Sequence, residues 1–105
     1  MFKRDYLQRL IEEIAAVAAR ALGLAREQKH DEAQREIEGA YRDVGLPALV
    51  LDRLDATSIR MMSGDKTGAL VALLDADAAV AELRGDGAHA GRRRGLAEAI
   101  RKAGG

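Results

Sequence analysis

Residues 5–28 read DYLQRLIEEIAAVAARALGLAREQ, and this stretch decides the fold class. Tyr6, Leu7, Leu10, Ile11, Ile14, Val17, Ala18, Ala21, Leu22 and Ala25 recur at the i, i+3, i+4, i+7 spacing of an amphipathic helix. At ~100° per residue they span an arc of roughly 180°, wider than the stripe of a simple surface helix. A helix of this kind has to touch two neighbours at once. Gln8, Glu12, Glu13, Arg20 and Glu27 lie opposite, and Asp5 is the expected N-cap.

The same period continues outward. Gln28-Lys29-His30 reads as a turn and Asp31 as the N-cap of a second helix, whose stripe is Ala33, Ile37, Ala40, Tyr41 and Val44. Gly45 is its left-handed cap, and Pro47 suits the first turn of a short third helix over 46–54. Asp55 to Ser58 supplies turn and cap residues before Ile59–Met62, and Ser63-Gly64-Asp65 breaks the chain again. Residues 66–83 form a fourth helix, Gly85-Asp86-Gly87 a turn, and residues 88–103 a fifth. Connections this short make sequential helices antiparallel.

Composition agrees with this pattern. The chain has 105 residues, enough for one domain spanning 1–105. Alanine supplies 21 of them, while five Val and five Ile never alternate with polar residues as strands require. The expected fold is all-α: four to five antiparallel helices in hairpins, the alternative being an irregular helical bundle. The 13 Arg against 4 Lys match the codon bias of a GC-rich, bacterial genome.

Two stretches, 14–45 and 71–102, share a layout of helix, turn and second helix. Small residues mark where the helices cross: Ala21 with Ala33 and Ala40, then Ala78 with Ala90 and Ala97. With Gly85-Asp86 in the second turn, this resembles the tetratricopeptide repeat, a helical hairpin of about 34 residues. The resemblance implies hairpins packed through close backbone approach. The departures are Arg94 where the first unit has Ile37, no closing proline, and the interruption at 46–65. Separately, Phe2-Lys3-Arg4-Asp5-Tyr6-Leu7 and the following Ile11-Glu12-Glu13-Ile14 resemble a short, uncharacterised bacterial family with a Lys-Arg-Asp-aromatic-Leu start. That resemblance implies no activity.

Several function classes are disfavoured. Seventeen basic residues balance seventeen acidic ones, so there is no bulk attraction to a polyanion. Without cysteine there is no disulfide, thiolate metal site or cysteine nucleophile. No apolar run approaches the ~20 residues of a membrane span, and no signal-peptide pattern opens the sequence. The expectation is a cytoplasmic protein. Gly64-Asp65-Lys66-Thr67 lacks the glycine spacing and preceding strand of a phosphate loop. His30 and His89 each lack a ligand partner at i+4, and Ser58 and Ser63 read as helix caps. No enzyme, no metal and no cofactor is expected.

Three features remain. Arg92, Arg93, Arg94, Arg101 and Lys102 make the last helix basic, a candidate anion-binding face for nucleic acid, although no aromatic residue is interleaved. Asp77 has Leu73, Leu74, Val80 and Ala81 at its helical neighbours, so a continuous helix would place a carboxylate on an apolar face. Pairing with an arginine of another helix or subunit is the expected resolution, the alternative being a helix break. Finally, the wide stripe of the first helix and the apolar 70–74 run exceed what Leu96 and Ile100 of the last helix can cover. A homodimer is therefore expected, with Leu7, Leu10, Ile14, Leu70 and Leu74 at its interface, unless 46–62 folds across the gap. The function expected is protein–protein interaction or self-association, with nucleic-acid binding as the rival.

Overall fold

The computed structural model describes residues 2–104. Among them are six α-helical segments and no strand: α1 (Phe2–Arg26), α2 (His30–Val44), α3 (Ala48–Leu51), α4 (Ala56–Ser63), α5 (Thr67–Leu83) and α6 (Gly87–Ala103). The all-α expectation holds, with four long helices and two short ones. A single 3₁₀ turn, Gly64–Lys66, leads into α5. None of these helices is long and apolar enough to cross a membrane.

The helix ends follow local chemistry, with corrections. α1 already runs from Phe2, so Asp5 lies in its first turn, not at its cap. An acid there still suits the helix dipole. The first turn closes through Gln28, which takes the left-handed conformation at φ 64. The Lys29 amide then donates to the Leu24 carbonyl at 2.8 Å. This compact ending starts α2 at His30, so Asp31 is a first-turn residue and Lys29 holds the cap position without a side-chain bond. Gly45 takes φ 90 as expected. The third helix is shorter than predicted because Pro47 sits before it in extended geometry (ψ 147). Asp55 and Asp86 cap α4 and α6, accepting from the Ser58 and His89 amides. Those amide bonds hold both carboxyls below the ordinary aspartate range. The stability they add is present above that range and lost as pH falls through it.

α1 and α2 form one hairpin and α5 and α6 another. α5 is in contact with α1, α2 and α6. Burial of Leu70, Leu73, Leu74, Ala78, Val80 and Ala81 follows from that central position. α1 meets both α2 and α5, as its wide arc requires. The crossing alanines Ala21, Ala33, Ala40, Ala78, Ala90 and Ala97 are all buried.

The interface residues need correction. Leu10, Ile14, Leu70 and Leu74 lie inside the core of one chain, and Leu7 is half-buried. The reason is the 46–63 segment, which delivers Leu46, Leu51 and Ile59 into the core. It fills the gap that α6, poor in large apolar side chains, leaves open.

Ala33→Leu should overpack the α1–α2 crossing and cost ~1–3 kcal/mol. Thermal denaturation followed by circular dichroism checks this. An unchanged Tm would remove Ala33 from the crossing.

Candidate functional site: a buried carboxylate where three helices meet

Asp77 stays in an unbroken α5 and is 1 % exposed. A lone carboxylate there would be prohibitively costly, so donors must converge on it. Three do. The Tyr41 hydroxyl, from α2, donates to Oδ2 at 2.6 Å. Arg93 Nε, from α6, donates to the same oxygen at 3.0 Å. His89 Nε2, one turn earlier on α6, lies 3.0 Å from Oδ1. Because a carboxylate only accepts, His89 carries its proton on Nε2. Its Nδ1 then accepts from Arg92 Nη2 at 3.4 Å.

The Arg93 guanidinium is 4 % exposed and reaches a second acid, donating through Nη1 to Asp52 Oδ1 at 2.9 Å. Asp52 follows α3 and its side chain is half-exposed. The guanidinium carbon also sits 5.9 Å from the Tyr41 ring centroid, within cation–π range. The cluster thus links α2, α5, α6 and the end of α3. His89, with 13 % of its side chain exposed, and Asp52 form its edge towards solvent.

Burial, and then the negative charge of Asp77, push the Tyr41 hydroxyl far above the ordinary phenol range. The hydroxyl therefore stays protonated as a donor. With both oxygens of Asp77 occupied by donors, the group acts as a clamp between helices and not as a free base. Among the described residues no three His, Asp or Glu side chains converge as metal ligands.

The expected pairing of Asp77 with an arginine of another helix is found, and the arginine is Arg93. This corrects the basic face: Arg93 points inward and is not available to an anion. The remaining members are exposed, and three contact acids. Arg94 pairs with Glu82, Arg101 Nη2 with Asp75 Oδ2 at 2.7 Å, and Lys102 Nζ with Glu98 Oε1 at 3.3 Å. The bond from Arg94 holds the Glu82 carboxyl below its ordinary range. Phosphates would have to compete with these carboxylates.

Sequence reasoning placed Tyr41 in the apolar stripe of α2 but gave its hydroxyl no partner. It gave His89 no partner and did not single out Asp52. One signal was available. Ala90, Arg93, Ala97 and Ile100 follow the i, i+3, i+7, i+10 period, which puts Arg93 on the inward face and its two neighbours outside. No protein-family model matches the chain, and neither does any curated protein or solved structure.

Asp77→Ala and Arg93→Ala should each cost ~3–5 kcal/mol, since either leaves an uncompensated buried charge or donor. Replacing both with Asp77→Leu and Arg93→Met should cost far less than the sum. Urea unfolding of the four-member cycle measures the coupling, and additive losses would show that the pair does not act as a unit.

Alkaline titration gives a second check. A pKa raised in the folded state means that the Tyr41 contribution is intact below the ordinary phenol value of ~10 and declines as pH rises above it. In Tyr6→Phe, which leaves Tyr41 as the sole tyrosine, tyrosinate absorbance should appear only together with loss of helical ellipticity. Ionisation in a fully helical protein would place Tyr41 outside the clamp.

Proposed function

We propose that the chain is a small helical protein–protein interaction module that associates with a second copy of itself through the outer face of the α3–α4 segment. One observation carries this. Leu49, Met61 and Met62 are 76 %, 79 % and 60 % exposed, and all three belong to that short segment. Large apolar side chains left this exposed support an interaction role, and exposed methionines adapt readily to a partner. A twofold dimer is the commonest closed arrangement. The buried alanines of both hairpins support tetratricopeptide-like packing, in which a helical scaffold presents such a surface. The Asp77 clamp supports the same conclusion from another side: its polar groups are spent on each other, which suits a scaffold better than a catalyst.

Sedimentation equilibrium at micromolar concentration tests the reading. The wild type should run at twice 11.3 kDa. Leu49→Asp combined with Met61→Asp and Met62→Asp should give the monomer with little change in Tm, because these side chains are mostly exposed in their own chain. A wild type that stays at 11.3 kDa throughout would end the self-association proposal.

A further inference from the structure

We propose that residues 46–63 form a strap that opens as a unit, hinged at Gly45 and Gly64 and latched to α6. The inference goes beyond the interaction reading and does not depend on it.

The two hinges are the first observation. Gly45 has φ 90 and Gly64 has φ 54 with ψ −122, conformations that suit glycine and little else. Both glycines are exposed, with open space within 4 Å of where a Cβ would stand, so no side-chain packing opposes rotation there.

The strap between them has little internal strength. α3 has 4 residues and α4 has 8, both too short to persist alone. Their attachment is therefore tertiary. Buried Leu46, Leu51 and Ile59 hold it to the core, Ser63 Oγ lies 2.6 Å from Thr67 Oγ1 at its far end, and two side-chain bonds tie its body to α6. Asp52 accepts from Arg93 Nη1, and Arg60 Nη1 donates to the Ile100 carbonyl at 3.0 Å. The second contact places a cation at the C-terminal end of α6, where the helix dipole favours it. Its guanidinium fills the space beside Gly104, where a side chain would collide with it. Asp52 is half-exposed and the Arg60 bond only part-buried, so water can replace both partners.

Lifting the strap leaves the rest assembled. Arg93 keeps its bond from Nε to Asp77, and Asp77 keeps Tyr41. The three contacts made by Asp77 itself join α2, α5 and α6 without a strap residue, and α1 packs on α2 and α5. The opening is therefore a local transition and not unfolding of the chain.

Amide hydrogen exchange of the full chain, read by mass spectrometry, tests this. Amides of 48–63 should exchange through a common opening at least about tenfold more frequent than the one that exposes α5. Asp52→Asn should raise exchange in 48–63 several-fold and leave α1 and α5 unchanged. Asp75→Asn, which breaks the comparable surface pair with Arg101, should leave the strap unchanged. Equal protection of the strap and α5, or a parallel rise in all segments in Asp52→Asn, would overturn the proposal. If Asp52→Asn does not fold, exchange of the wild type in low urea decides. A strap opening that stays distinct from global unfolding supports the device, and one that merges with it at every urea concentration overturns it.

Discussion

A carboxylate surrounded by apolar helix is the constraint on which the arrangement of this chain depends. α5 is enclosed by α1, α2 and α6, so a charge at position 77 cannot turn to water. Its cost falls only if donors arrive from other helices, and they do, from Tyr41 on one side and Arg93 and His89 on the other. Apolar packing specifies which faces meet but tolerates small slips along a helix axis. Hydrogen bonds of 2.6–3.0 Å do not. The clamp therefore fixes the register of α2 and α6 against α5, an arrangement that alanine-rich surfaces alone would leave degenerate.

Much of the fold was legible from the chain because its period is strong. The breaks at Gly45 and Gly85 and the caps at Asp55 and Asp86 fall where glycine and aspartate chemistry put them. The start of α2 was misplaced because Gln28 adopts a left-handed conformation that glycine usually supplies, and no sequence rule anticipates glutamine there. The dimer face was misread for a different reason. A short segment without clear periodicity, 46–63, supplies three buried anchors, and a tally of stripes undercounts what irregular chain can cover.

The candidate site shows the same division. Asp77 stood out because it violated the pattern around it. Arg93 did not, because three successive arginines read as one basic patch. In a helix, successive residues point about 100° apart, so a patch along the sequence is not a patch on the surface. Arg92 and Arg94 face water while Arg93 lies in the core. Tyr41 is separated from Asp77 by 36 positions and Asp52 from Arg93 by 41, and nothing local to them announces the meeting.

The partners of Asp52 and Arg60, Arg93 and the Ile100 carbonyl, both lie on α6. During synthesis, α1 to α5 are made before either Arg93 or the Ile100 carbonyl exists. Until α6 is made, Asp77 has Tyr41 as its one available partner from the clamp, and Asp52 and Arg60 have nothing to hold. A nascent chain therefore waits in a state with a hydrophobic helix and an acid only partly satisfied. The seventeen residues of α6 then bring the missing donors Arg93 and His89 to Asp77. Before that, the apolar surface of α5 that α6 covers stays open to other contacts.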